Sequence, residues 1–286
     1  MSTAVVTGAG AGIGRETARR FASRGYRVVV ADIDEASAGA VAEEITAAGG
    51  SARPYRLDVS SESQWDDCAA WVRGEYGPAR LLVNNAGIMD TGGFTEMSAA
   101  QWQRTVDVDL MSVIYGSRVF ARQMIDAGIR GHIVNLSSAA AFLPARYVPA
   151  YATAKAAALM ASQCLRVELR PKGIGVTAIC PGAIRTDLVA HGERAGLDAE
   201  RQAAWRAEAG RVQGLAFAGP EKVARVIDTA VHRNRAVVPV NVEAWLAYAG
   251  LRLSPALMRG IGGVGSLEVA DALLLRLRPL LDRIAK

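Results

Sequence analysis

The chain has few cysteines and no long apolar run, and both shortages narrow what it can be. Cys68, Cys164 and Cys180 stand far apart and form no CxxC pair, so the sequence offers neither a disulfide framework nor a zinc site. That pattern fits a reducing cytoplasm. The first hydrophobic stretch, Ala4 to Thr7, is too short for a signal peptide and leads straight into glycines. No stretch reaches the ~20 apolar residues needed to span a bilayer. Clustered basic charge is also missing: the net charge is +5, but the arginines are scattered, which argues against a nucleic-acid partner. Internal repeats and low-complexity linkers are absent. What remains, 51% hydrophobic and 21% charged residues over 286 positions, describes a soluble globular chain with a sizeable core.

The hydrophobic pattern alternates short β-branched runs with helical stretches. Ala4 to Thr7 reads as a buried strand, and Thr7-Gly8-Ala-Gly-Ala-Gly12-Ile13-Gly14 follows before the helical pattern of Arg15 to Arg24. Glycines at such a junction let a backbone approach a pyrophosphate, and the helix N-terminus then presents free N–H groups to it. Gly8, Gly12 and Gly14 are assigned to that task. A second strand, Arg27 to Ala31, ends in Asp32, where an acid can hydrogen-bond ribose hydroxyls and repel a 2′-phosphate. NAD is therefore expected over NADP, since Ile33 and Ala11 offer no cation and Arg15 is read as helix surface. Asp34 is a cap for the helix of Glu35 to Ala48, or the ribose ligand should the strand end later.

Further strands are expected at Ala52 to Leu57, Leu81 to Val83, His132 to Leu136, Ile174 to Cys180 and Ala236 to Val240, with helices at Glu62 to Tyr76 and Ala99 to Asp126. Strand and helix alternation over this length predicts a single doubly wound parallel sheet of about seven strands, a Rossmann-like α/β fold spanning 1–240. Asp58, after the third strand, is either an adenine contact or a turn acid. Asn84-Asn85-Ala86-Gly87 closes the fourth strand, where amides tie strand ends together and small residues leave room for a cofactor. Ser137 and Ser138 stand at the carboxyl end of the fifth strand, the edge of such a sheet where ligands bind. Pro149 opens a helix that carries Tyr151 and Lys155 four residues apart on one face. A lysine beside a tyrosine favours the phenolate, which a phenol of ordinary pKa about 10 needs to act as a base near neutrality. Alone, that spacing also fits a solvated helix face.

Taken together, these motifs resemble the short-chain dehydrogenase/reductase family, in its short-subunit NAD(P)-dependent branch, over about Thr3 to Val240. The resemblance implies that Tyr151 is the general acid/base, that Ser138 orients the substrate oxygen, and that Lys155 favours tyrosinate while hydrogen-bonding the nicotinamide ribose. It further implies cofactor contacts from Gly8, Gly12, Ile13, Gly14, Asp32, Asp58, Val59 and Asn85 to Gly87. Pro181 and Gly182 would add to these contacts, and Ile184 with Thr186 would hold the carboxamide end. The implied reaction is hydride transfer between NAD and an alcohol or ketone, in a homodimer or homotetramer. One departure stands out. Where the family carries asparagine, the chain reads Val108-Asp109-Leu110, and a carboxylate there would partly cancel the lysine's effect on Tyr151. Asp109 is expected to hold a water next to Lys155 and to shift the pH optimum, or to point elsewhere and leave the relay incomplete.

Thr186 to Gly219 is expected to form a lid, or else an ordinary surface excursion. Met89, Phe94, Phe142, Leu143, Leu188, Trp205 and Phe217 are expected pocket walls, which suit a lipophilic secondary alcohol or ketone. Arg146 and Arg185 are read as solvated, with clamping of an acid as the alternative. The leucine-rich stretch 241–286 is expected to be a helical extension that packs on the same domain or a neighbouring subunit. A membrane-surface helix is disfavoured because Glu243, Glu268, Asp271 and Asp282 dilute its basic face. A dinucleotide-binding regulator or membrane-surface scaffold without turnover is the competing function.

Overall fold

The computed structural model describes residues 1–186, 188–189, 191–213, 218–256 and 258–259. Seven parallel strands form one sheet: β1 (Thr3–Thr7), β2 (Arg27–Asp32), β3 (Ser51–Arg56), β4 (Leu81–Asn84), β5 (His132–Leu136), β6 (Gly175–Pro181) and β7 (Val237–Val240). Their order is β3-β2-β1-β4-β5-β6-β7. The chain winds outward from β1 to β3, then returns to β4 on the far side of β1, in the register Val5↔Leu82. A cleft opens where the winding reverses, at the carboxyl ends of β1 and β4.

Side chains alternate across the sheet, so β1 sends Ala4 and Val6 to one apolar layer and Val5 to the other. The first layer is covered by α1 (Gly12–Ser23), α2 (Glu35–Ala47) and α8 (Pro220–His232). The second is covered by α3 (Glu62–Tyr76) and α5 (Ser112–Asp126), where Trp65 and Phe120 meet edge to face with ring centroids 6.3 Å apart. Pro54 and Pro239 lie in the two edge strands, β3 and β7, where a missing N–H leaves little of the ladder unpaired, and Pro181 is the last residue of β6. Asp34 caps α2 by accepting from Ala36 N–H, and Ser61 caps α3. Pro149 opens α6 (Pro149–Leu169).

The helix expected over 99–126 has a different build. It comprises α4 (Ala99–Val106), a π-helical turn over Asp107–Met111, and then α5. Ser112 N–H bonds back five residues to the Asp107 carbonyl, and its hydroxyl takes the Val108 carbonyl at 2.5 Å. Asp109, at the centre of this wider turn, is 0% exposed. Within the expected lid, helix α7 (Ala199–Gln213) is present; positions 187, 190 and 214–217, Phe217 among them, lie outside the described residues. Of the extension, helix α9 (Val242–Leu253) is described, while 257 and 260–286, with Glu268, Asp271 and Asp282, lie outside. Among the described residues no helix is long and apolar enough to cross a membrane.

Candidate active site

The glycine turn has the shape that a dinucleotide phosphate needs. Gly8 and Gly12 take φ of 59° and 51°, left-handed values that favour glycine. At Gly14 a Cβ would lie 2.0 Å from the Gly8 carbonyl oxygen, so glycine is what lets α1 start flush against β1. Ala11, the N-cap of α1, provides no side-chain cap, which leaves the first-turn N–H groups for a ligand. Ile13 packs partly into the apolar layer. Asp32 reaches across from β2: one carboxylate oxygen accepts from Gly10 N–H at 2.9 Å and the other from Asp34 N–H at 3.1 Å. Gly10, which the sequence pattern alone gives no role, supplies the peptide that fixes Asp32 beside the turn. Arg15 makes a bidentate pair with Glu44 on the helix surface, as expected.

Thr7 is the second residue without a role in the sequence reading. Its hydroxyl accepts from Asn85 N–H and Ala86 N–H, and Asn85 Nδ2 donates to the Thr7 and Gly8 carbonyls. Asn85 and Ala86 thereby join β4 to the glycine turn. Asn84 is buried and donates to Ser117 and Asn135, while Asn135 donates to Ser162 of α6 at 2.9 Å. This polar chain ties β4, β5 and α5 to the helix that bears the tyrosine. Asp58 accepts from the Ser60 N–H and hydroxyl, the turn-acid arrangement, and Val59 is buried with its carbonyl bonded to the Trp65 indole.

Ser138, Tyr151, Lys155 and Asp109 converge. Tyr151 and Lys155 are buried at 7% and 3% exposure, so their helix face is an interior one rather than a solvated one. Ser138 shares a hydrogen bond with the Tyr151 phenol and accepts from Ala140 N–H at 3.1 Å. Lys155 Nζ lies 5.5 Å from the Tyr151 ring centroid, donates to the Leu136 carbonyl at 3.2 Å, and stands 2.7 Å from Asp109 Oδ1. Asp109 therefore meets Lys155 directly, and its other oxygen accepts from Ile88 N–H at 3.4 Å. Gly87 is needed at this point, because a Cβ there would sit 2.7 Å from Asp109 Oδ1 and 3.3 Å from Lys155 Nζ.

The electrostatics follow from burial. Burial raises the Tyr151 phenol above its ordinary value; Lys155 pulls it back, Asp109 pushes it up again, and the Ser138 hydrogen bond lowers it. For Lys155, burial disfavours the ammonium, yet Asp109 and Tyr151 outweigh it and the net direction is upward. Asp109 is raised by burial in spite of Lys155. Cys180, below the cluster, has its thiol pushed up to about 12 by burial, so it is no nucleophile.

Pro181 and Gly182 end β6, and Ile184 forms a bridge to Ala218. A Cβ on Gly12 would come 3.4 Å from Thr186 Cγ2, so this loop faces the glycine turn across the cleft. The segment at 192–195 is stapled to the β4 loop. Buried Asp90 pairs with Arg104 at 2.5 Å and accepts from Glu193 N–H, and Thr91 exchanges backbone bonds with Glu193 and Ala195. Arg206 and Gln202 of α7 donate to the Gly192 carbonyl, which attaches the helix to this staple. Phe142 departs from expectation: at 1% exposure it packs against Cys180, Ala247 and Met258 as core, because its short 3-10 turn tucks the ring under α9. Phe94 is 70% exposed and rests on Trp102, while Arg146 and Arg185 are at the surface.

A family model described as short chain dehydrogenase matches residues 2–195. The chain is 44% identical over 256 residues to the probable oxidoreductase EphD of Mycobacterium tuberculosis and Mycobacterium bovis, covering 89% of this chain and 43% of that protein. It thus spans about two fifths of the length of those relatives. It is 33% identical over 193 residues to a cyclohexanol dehydrogenase of an Acinetobacter species, covering 67% of this chain and 76% of the other. A crystal structure of a short chain dehydrogenase/reductase from Burkholderia phymatum in complex with NAD superposes with a TM-score of 0.81 at 30% identity, over 93% of this chain and 98% of that one. With the family's fold, its strand order at the cleft and its motifs in place, the chain belongs to the short-chain dehydrogenase/reductase family of oxidoreductases.

Proposed function

We propose that the chain is an NAD-dependent oxidoreductase that interconverts a lipophilic secondary alcohol and its ketone. The observation that carries this reading is the cluster of half-buried Ser138 with buried Tyr151 and Lys155 at the carboxyl end of β5, facing the cleft lined by the glycine turn. The residues fit a nicotinamide dinucleotide: left-handed glycines and uncapped N–H groups for the pyrophosphate, Asp32 for the adenosine ribose, and the 181–186 loop for the carboxamide end. Bound there, such a cofactor supplies a two-electron hydride acceptor or donor. In oxidation Tyr151 takes the alcohol proton as hydride leaves the carbinol carbon, and in reduction it returns that proton to the carbonyl oxygen. Ser138 donates to the substrate oxygen and so aligns it with the phenol. The ammonium of Lys155 favours tyrosinate and offers a donor to the nicotinamide ribose.

NAD is preferred over NADP because Asp32 carries a charge where a 2′-phosphate would lie, Ile33 is apolar, and Arg15 is engaged by Glu44. Met89, Leu143 and Leu188, apolar and half-buried, are read as walls of the substrate pocket, and together with the similarity to a cyclohexanol dehydrogenase they support a lipophilic substrate. Three free cysteines suit a cytoplasmic setting. Exposed Val242, Trp245 and Leu246 on α9 support packing on a neighbouring subunit in a homodimer or homotetramer over a lipid surface. A screen of NADH fluorescence across secondary alcohols and ketones, with Tyr151→Phe as control, tests the reaction. Rapid turnover that survives Tyr151→Phe would overturn the mechanism. A dinucleotide-binding regulatory or membrane-surface scaffold without turnover is the second reading, favoured by the Asp109 contact, whose charge opposes that of Lys155 at Tyr151.

A further inference from the structure

The strand β7 and helix α9 meet at Asn241, which holds φ 78° and ψ 162° without being glycine. Such a conformation is costly for a residue with a side chain and persists where its neighbours fix it. Here the neighbours belong to the loop after β6. Asn241 Nδ2 donates to the Ala183 carbonyl at 3.2 Å, and Glu243 Oε1 accepts from Ala183 N–H at 3.0 Å and from Asn241 Nδ2 at 3.3 Å. Both peptide groups of Ala183 are thereby held by the start of α9. Gly182 N–H donates to the Val240 carbonyl at 3.0 Å, and a Cβ on Gly182 would come 2.2 Å from Glu243 Oε1. Glycine at 182 is what admits the carboxylate. On its other side the loop is pinned by the Arg185 N–H to Ala218 carbonyl bond at 2.9 Å.

We propose that Asn241 and Glu243 are positioning residues for the nicotinamide half of the dinucleotide site: they latch the Pro181–Ile184 loop so that Thr186 faces the glycine turn. The proposal rests on the dinucleotide reading above and gives the segment after β7 a task within it. The side chains touch neither cofactor nor substrate; they act through Ala183. Loss of the latch lets the loop relax on one side while Gly8, Gly12, Gly14 and Asp32, on the opposite wall, keep their places. The effect is therefore specific to the half of the ligand that the loop meets.

ADP-ribose makes that distinction, because it has the adenosine, both phosphates and a ribose but no nicotinamide. Isothermal titration calorimetry of NADH and ADP-ribose is run on the full chain as wild type, Glu243→Ala, Glu243→Gln and Asn241→Gly. Glu243→Ala removes the acceptor of both Ala183 N–H and Asn241 Nδ2, and is expected to weaken NADH about tenfold and to leave ADP-ribose unchanged. Glu243→Gln keeps an acceptor for Ala183 N–H and should bind NADH within about twofold of wild type. Asn241→Gly tolerates the φ value, so it folds, and it should weaken NADH selectively through loss of the Ala183 carbonyl bond. Equal weakening of both ligands, or no weakening of NADH in Glu243→Ala and Asn241→Gly, would overturn the latch. Failure of the wild type itself to bind either ligand would instead remove the dinucleotide reading on which the latch depends.

Discussion

Asp109→Asn removes one charge and almost no volume from the centre of the site. The carboxylate and Lys155 Nζ stand 2.7 Å apart, with side chains 0% and 4% exposed. At that separation and an effective dielectric of about 20, their attraction is roughly 6 kcal/mol, set against a desolvation cost of several kcal/mol for each ion. The amide strands a buried ammonium. A broken buried pair costs about 3–5 kcal/mol, and the lower end applies because the amide oxygen still accepts from Lys155. For a chain of this size a loss of about 3 kcal/mol lowers the melting temperature by about 5 °C. Lys155 is raised in the folded state, so its pairing contributes fully below the ordinary lysine value and is lost as pH rises through the raised one. In catalysis the ammonium then acts on Tyr151 without the carboxylate that pushes the phenol up. The limb of the oxidation profile that requires tyrosinate moves to lower pH. Thermal melts and pH-rate profiles at saturating cofactor read the two effects separately. Superimposable pH-rate profiles would refute the coupling, and an unchanged melting temperature would refute the buried pair.

Acid should weaken the fold through His132, whose imidazole burial holds at about 4. Between 6.5 and about 4 the unfolded chain binds a proton that the folded chain refuses, so stability falls by about 3 kcal/mol as pH drops through that window. Urea melts from pH 7 to 4 should show this slope and lose it in His132→Gln. Gly14→Ala forces a methyl to 2.0 Å from the Gly8 carbonyl oxygen, and is expected to cost about 1–3 kcal/mol and to abolish NADH binding in calorimetry. Wild-type affinity there would contradict the close approach. Asp90→Asn loosens the staple to Arg104 and Glu193, so KM for the alcohol should rise roughly tenfold with kcat little changed. An unaltered KM would mean that the Thr91 backbone bonds hold the segment unaided.

The residues that read most clearly in the sequence are those whose partners are close along the chain. The glycine turn, Asp32 after β2, and the four-residue spacing of Tyr151 and Lys155 all declare themselves through local pattern, and the alternation of strands and helices gave the sheet. What escaped depends on contacts between distant segments. In the sequence Gly10 is one glycine among several, and its partner Asp32 lies 22 residues on. Phe142 looked like a pocket wall because it follows Ser138, yet its ring meets a helix more than a hundred residues later. Glu243 counted only as negative charge diluting a basic face, while its carboxylate fastens a loop sixty residues earlier in the chain. Asp109 is visible in the sequence as a departure from the family pattern with its charge expected beside Lys155, and only the fold gives the 2.7 Å separation of the two groups.

The π-helical turn over Asp107–Met111 has a consequence for how the gene can change length. A wide turn takes up one more residue than an α-helix would, and each residue advances a helix by about 100°. Deleting one residue there would restore an unbroken helix and swing Asp109 away from Lys155. Because the wide turn absorbs its extra residue locally, the same deletion would leave α4 and α5 on their faces, with Phe120 still against Trp65 and Ser117 still beside Asn84. The chain could thus lose the contact at its reaction centre without losing the packing of its core.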